Sequence, residues 1–225
     1  IKKKFWCNFM NLELKKRMIT SVFLLSLLTA MYFYNYILII SLIIISIIAW
    51  IEFYALISKI FKKENNKHKL LRFLYKSFSL IYLFSLVYLI LLTQFKNSEH
   101  QIFITYSILI SVMSDTGGFI IGKIFKGKKL TKISPKKTLS GCIGSFIFSL
   151  CLIPFFYSQL GNYALWKLII VTLAISLVSQ CGDLFISLLK RKSKVKNTSD
   201  ILPGHGGILD RIDGIIFSIP TGLLI

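Results

Sequence analysis

Four short stretches of this chain carry residue types that handle phosphate. The first is Gln180-Cys181-Gly182-Asp183-Leu184-Phe185-Ile186-Ser187-Leu188-Leu189-Lys190-Arg191. Helix offsets i, i+4, i+7 and i+8 put Asp183, Ser187, Lys190 and Arg191 on one face, so a carboxylate, a hydroxyl and two cations form a stripe. The second is Ile201-Leu202-Pro203-Gly204-His205-Gly206-Gly207-Ile208-Leu209-Asp210-Arg211-Ile212-Asp213. Gly204, Gly206 and Gly207 leave the backbone free to curl its N–H groups around an anion. Asp210 and Asp213, at i and i+3, share a helix face and can serve one divalent cation. Carboxylates with phosphate oxygens and water are the set that Mg2+ takes. His205, set between glycines, is open as a ligand, an acid–base group or a donor to phosphate.

The third stretch is Ile133-Ser134-Pro135-Lys136-Lys137-Thr138. Ser-Pro starts a helix, and free N–H groups at a helix start favour an anion. The two lysines strengthen that reading. The fourth is Asp115 with Gly117, Gly118 and Gly122 behind it. No strand precedes these glycines, so a dinucleotide loop is excluded. Gly118 and Gly122, at i and i+4, predict a close helix contact instead.

The elements that must position these residues are long apolar runs. Of the 225 residues 55% are apolar and 16% charged, well under the quarter that is usual for soluble domains. Runs at 18–34, 36–56, 73–92, 102–125, 139–157 and 165–189 reach the roughly 20 residues a membrane-spanning helix needs, and a seventh begins near Ile215. Strand alternation is absent from them, which excludes a transmembrane barrel. The expected fold is all-α: a polytopic membrane bundle of about seven spans, one integral-membrane domain over 1–225. Residues 18–92 supply its N-terminal spans, and 102–225 its catalytic spans and loops. The first run leads straight into a second, the pattern of membrane insertion rather than of a cleaved signal.

Charge placement sets the topology. There are 28 Lys and Arg against 9 Asp and Glu, a net +19, and all the basic residues but Lys96 and Lys167 fall in the N-terminal segment or in and at the edges of the loops after spans two, four and six. Basic loops face the cytoplasm. Interleaving with apolar runs also argues against a nucleic-acid binder. The four cysteines form no C-x-x-C pair and read as small core residues, without a disulfide framework or a zinc site.

Glu52, Asp115 and Asp183 lie inside apolar runs, where an ionised group needs a partner or a metal. Counted at 1.5 Å per residue, each sits roughly 10–12 Å short of its basic loop. The common depth predicts a shared polar cavity opening inwards, although Glu52 is also the one best explained by a nearby polar partner.

Together, Ser187-x-x-Lys190-Arg191, Pro203-Gly204-His205-Gly206-Gly207 and Asp210-Arg211-x-Asp213 resemble the signature of the phosphatidate cytidylyltransferase (CDP-diacylglycerol synthase) family. Gln180-x-Gly182-Asp183-Leu184, Ser134-Pro135-x-Lys137-Thr138 and Asp115 with Gly122 resemble its other motifs. The chain departs at several positions: Asn197 follows Lys196 where the family usually has an acid, Ser140 stands where Glu is common, Gly118-Phe119 replaces the usual Ala-Tyr pair, and no Trp precedes Asp115. The resemblance implies cytidylyl transfer from CTP to phosphatidic acid, with Mg2+ alone or beside a monovalent cation. It implies Asp183, Asp210 and Asp213 as metal ligands or their partners. Lys137, Lys190, Arg191 and Arg211 would neutralise phosphate, and His205 would orient the triphosphate. Ser134, Thr138, Ser187, the loop glycines and Asp115 would contact substrate. A homodimer in the bacterial plasma membrane, its active site facing the cytoplasm, is implied as well. The alternatives are a relative acting on an isoprenoid lipid, a transporter using its intramembrane acids, and an inactive partner subunit.

Overall fold

The computed structural model describes residues 2–62, 65–96, 98–131, 134, 137–160 and 163–224, with residues 2–13, 96 and 98–100 described by backbone alone. Ile133, Pro135 and Lys136 of the Ser-Pro stretch lie outside the described residues. Among the described residues the regular structure is helical: α1 (Lys2–Phe33), α2 (Asn35–Ile60), α3 (Asn66–Lys96), α4 (Ser98–Phe125), α5 (Leu139–Leu150), α6 (Ile153–Leu160), α7 (Leu165–Lys192), α8 (Leu209–Ile212) and α9 (Ile215–Leu223). The only β pairing among them is two isolated bridges.

Six stretches of helix are long and apolar enough to cross a membrane: Leu14–Phe33, Asn35–Ile60, Asn66–Phe95, Gln101–Phe125, Leu139–Leu160 and Leu165–Lys192. Their outer faces carry bare apolar side chains, with Phe33 75% exposed, Tyr36 82% and Phe84 74%. Such faces suit hydrocarbon rather than water. The seventh run is the nine-residue α9. The fifth is broken into α5 and α6, a departure from the single helix expected. Pro154 has no N–H to give to the carbonyl of Leu150, and the chain tightens through Leu152 N–H to Ser149 O at 3.2 Å before resuming. Cys151, in the turn after α5, and Cys181, on α7, are exposed and Cys142 is half-buried, so these three free thiols are not the core residues expected. In a bilayer an outward thiol meets lipid at little cost.

The chain divides into two compact units, Ile1–Val87 with Ser193–Arg211, and Tyr88–Lys192 with Ile212–Ile225. The second unit is knit by small residues. A Cβ on Gly118 would lie 2.7 Å from Ser145 Oγ, one on Gly122 2.9 Å from Thr138 Oγ1, and one on Gly141 2.7 Å from the Gly118 carbonyl. The expected close contact at Gly118 and Gly122 is therefore the α4–α5 seam. Buried hydroxyls zip the remainder, Ser111 to Ser179 at 2.7 Å and Tyr106 to Thr172 at 2.6 Å. In the first unit the segment 193–211 is fastened to Glu52 of α2 and to Thr20 of α1.

Candidate active site

In the second unit, α4, α5 and α7 enclose a cavity of about 260 Å3. Asp115, Ser134, Lys137, Thr138, Gln180 and Asp183 line it, along with Gly118 and Gly141 of the α4–α5 seam. Local structure explains each placement. Asp115 sits beside Ser114, whose hydroxyl and carbonyl are held by Ser176 and Ser145. Lys137 is set by a short antiparallel closure of the 126–138 loop, in which Leu130 N–H donates to Lys137 O at 2.8 Å and Leu139 N–H to Lys128 O at 2.8 Å. Thr138 then caps α5, accepting from Gly141 N–H at 3.1 Å. Ser140, at the position where the resembled family has Glu, accepts from Gly127 N–H at 3.2 Å and so holds the same loop.

Lys137 Nζ forms an ion pair with Asp183 Oδ2. The Asp183–Ser187 face predicted on α7 is realised, with Ser187 Oγ donating to Asp183 Oδ1 at 3.2 Å. Asp213 belongs to this unit too. Its turn can lie against α7 because position 182 is glycine: a Cβ there would meet the Asp213 carbonyl at 2.8 Å and the Phe217 ring at 2.5 Å. Asp213 is buried, and its carboxylate accepts from Gly214 N–H at 2.9 Å. Burial first, then the negative charges of Asp183 and Asp115, push its carboxyl up to about 8, with Lys190 pulling the other way. These acids therefore repel one another across a small space that Lys137 and Lys190 only partly compensate.

The loop of the first unit is organised oppositely. Leu202 N–H donates to Gly206 O at 2.9 Å, while His205 and Gly206 N–H both donate to Leu202 O. Gly204 and Gly206 take φ of 78° and 87°, which glycine adopts without strain. Gly207 N–H donates to Asp210 Oδ2 at 3.1 Å, as does Thr198 N–H at 2.9 Å. Ile208 N–H donates to Glu52 Oε1 at 3.0 Å and Leu209 N–H to Glu52 Oε2 at 2.8 Å. Ser199 Oγ donates to Glu52 Oε1 at 2.5 Å. Thr198 Oγ1 stands 2.8 Å from Glu52 Oε2 and 3.0 Å from Asp210 Oδ2, its one hydrogen serving either.

The backbone donors from His205 to Leu209 are thus all committed within the chain. The anions the glycine loop curls around here are the chain's own carboxylates, Asp210 and Glu52 of α2. Gly207 is required for that closeness, since a Cβ would stand 2.5 Å from Glu52 Oε2 and in collision with Thr198 Oγ1.

Glu52, 2% exposed, is not part of the 260 Å3 cavity, so the expected three-acid cavity is a two-acid one. Its partner is the loop, which no short-range pattern could reveal. The His205 ring rests against α1, with Nδ1 2.5 Å from Thr20 Oγ1 and Nε2 3.4 Å from Ser21 Oγ. Arg211 Nε donates to the His205 carbonyl at 3.2 Å, with a second bond from Nη2. Thr20 and Ser21 were not anticipated as partners, and nothing in their own neighbourhood signals it. Among the described residues no three His, Cys, Asp or Glu side chains are gathered to hold a metal ion unaided.

Residues 6–225 match the family described as the cytidylyltransferase family. A protein named phosphatidate cytidylyltransferase from Staphylococcus saprophyticus is 42% identical over 126 residues, covering 55% of this chain and 48% of that protein. One of the same name from Staphylococcus aureus (strain COL) is 44% identical over 125 residues, 55% and 48% of the two chains. A third, from Rickettsia typhi, is 41% identical over 143 residues, 59% and 61%. The match spans about half the length of the staphylococcal relatives.

Proposed function

The chain belongs to the cytidylyltransferase family, and we propose that it transfers the cytidylyl group of CTP to phosphatidic acid, forming CDP-diacylglycerol and releasing pyrophosphate. The observation that carries this reading is the cavity of the second unit, in which a lysine–aspartate pair and a second aspartate face one small space among apolar helices. The names of the relatives support the choice of substrates.

The lipid phosphate is already an anion and needs no strong base. One of its oxygens attacks the α-phosphorus of CTP, and the bond from that phosphorus to the oxygen leading to the β-phosphorus breaks. Pyrophosphate leaves with the electron pair. The protein's task is then in-line positioning and neutralisation of charge. Lys137, Lys190 and Arg191 supply the positive charge, and the Ser134 and Thr138 hydroxyls line the approach. Asp115 and Asp183 face the pocket; His205 and Arg211 are carried by the fastened loop of the first unit, where Arg211 holds the His205 carbonyl.

The donor set fits Mg2+. Asp183 and Asp213 offer hard carboxylate oxygens, and their mutual repulsion with Asp115 is what a cation relieves. Mg2+ is commonly held by one or two carboxylates, the remaining positions going to substrate phosphates and water, so a complete protein cage is not needed. Once bound, it would supply neutralisation of phosphate charge. Asp210, the third acid of the expected set, spends Oδ2 on Thr198 and Gly207 and acts in this reading as the keystone of the loop. The basic loops and the family support a plasma-membrane enzyme with its site open to the cytoplasm, working as a homodimer.

The test is lipid product formation from α-labelled CTP in micelles, with phosphatidic acid, diacylglycerol or a prenyl phosphate as acceptor, with and without Mg2+. Labelled CDP-diacylglycerol made from phosphatidic acid alone supports the proposal. Label on the prenyl acceptor alone overturns the substrate assignment, and no label on any lipid from folded protein overturns the reaction.

A further inference from the structure

A second cavity, of about 370 Å3, lies in the first unit between α2 and α3 and plays no part in the chemistry above. Its wall is cationic on one side and aromatic on the other. Lys69, Arg72 and Lys76, at i, i+3 and i+7 of α3, bring three positive charges to it, Trp50 and Tyr54 of α2 face them, and Phe73 of α3 lines it as well. The arrangement is fastened at several points. Trp50 Nε1 donates to the Lys76 carbonyl at 3.3 Å, Lys76 Nζ lies 3.2 Å from the centre of the Tyr54 ring, and Arg72 Nη2 bonds the Phe61 carbonyl. Arg72 Nε is buried and has no hydrogen-bond partner among the described residues. Among those residues, too, no acid lines the cavity.

A lysine that merely anchors a span extends freely to water. Here the cations converge on a walled space, and one guanidinium N–H is left without an acceptor, which a buried donor seldom tolerates. The missing chemistry is an anion with several acceptor oxygens. The site lies at the basic end of an apolar span, where lipid headgroups sit. Phe73, 67% exposed, and Leu80, 49% exposed, continue the wall as an apolar surface that acyl chains would cover.

We propose that this cavity binds the phosphate of an anionic glycerophospholipid, with Lys69, Arg72 and Lys76 on the phosphate and Trp50, Tyr54 and Phe73 against the glycerol and first methylenes. Such a lipid is a resident ligand, separate from the acceptor consumed in the reaction.

The cavity carries its own reporter in Trp50. The test uses the full chain with Trp6→Phe and Trp166→Phe, reconstituted in phosphatidylcholine nanodiscs doped with chain-brominated phosphatidylglycerol or, at equal fraction, chain-brominated phosphatidylcholine. Phosphatidylglycerol is chosen because it is not the proposed acceptor. Excess quenching of Trp50 by the anionic lipid, equivalent to roughly fivefold local enrichment or more, is expected. Equal quenching by the two lipids overturns the proposal and needs no cavity variant to be made. Lys69→Ala/Arg72→Ala/Lys76→Ala should abolish the excess, while Lys128→Ala/Lys129→Ala/Lys192→Ala, which removes the same charge elsewhere, should keep it. Loss of the excess in both triple variants would reduce it to general surface attraction and overturn the site. Removal of the excess by saturating inorganic phosphate would assign the cavity to a soluble anion and overturn the lipid assignment.

Discussion

The two units bury acidic groups in contrasting ways. In the first, Glu52 and Asp210 are surrounded by donors: backbone N–H groups of Thr198, Gly207, Ile208 and Leu209 and the hydroxyls of Thr198 and Ser199. A carboxylate so placed is an internal fastener, stable without any ligand. In the second, Asp213 is driven up to about 8 by burial and by Asp183 and Asp115. Acids held against their own repulsion signal a site whose charge is completed from outside. Similar residues therefore serve a structural end in one region and, in the proposed reaction, a chemical end in the other, and the donors around them tell the two apart.

The contrast breaks most visibly at Glu52. Glu52→Ala should leave buried donors without acceptors at about 1–3 kcal/mol each. We expect a large drop in the thermal midpoint in detergent and early proteolysis within 193–211. A variant as stable as wild type would show that the loop does not depend on Glu52. Asp183→Asn should do the reverse: stability close to wild type, with transfer to lipid lowered roughly a hundredfold. Retained turnover by a folded Asp183→Asn protein would remove Asp183 from the chemistry.

A finer probe is pH. Below about 8 Asp213 carries a proton that a cation must displace. Apparent Mn2+ or Mg2+ affinity in a direct titration should therefore rise as pH approaches that value, by at most about tenfold per unit, and level off above it. Asp213→Asn should flatten the curve, and an unchanged slope would count against Asp213 as the titrating group. The smallest effect is expected at Thr20→Val, which removes one hydrogen bond to His205, about 1 kcal/mol. It should raise the KM for CTP a few-fold with kcat nearly unchanged, and a purely kcat effect would contradict a positioning role.

Much of the candidate site was legible because its signals are local. The Asp183–Ser187 bond follows from helix spacing, and the α4–α5 seam from two glycines one turn apart. The sites of Lys137 and Thr138 at the start of α5 were legible for the same reason. The partner of Glu52 was not: Thr198 lies 146 residues away and Leu209 157. Nor was the perch of His205 on Thr20, at a separation of 185. The glycine loop misled for a related reason. Glycines announce backbone N–H groups free to meet an anion, without saying whose anion it is.

Composition and periodicity by themselves determined that this chain is a set of apolar helices with basic loops, and the motif spacing determined its family, because both depend on neighbours within a few turns. Only the tertiary structure decided which buried acids face a cavity and which are sealed by the loop. The charge state and use of a carboxylate depend on donors and charges within a few ångströms, and packing alone brings those together from distant parts of the chain.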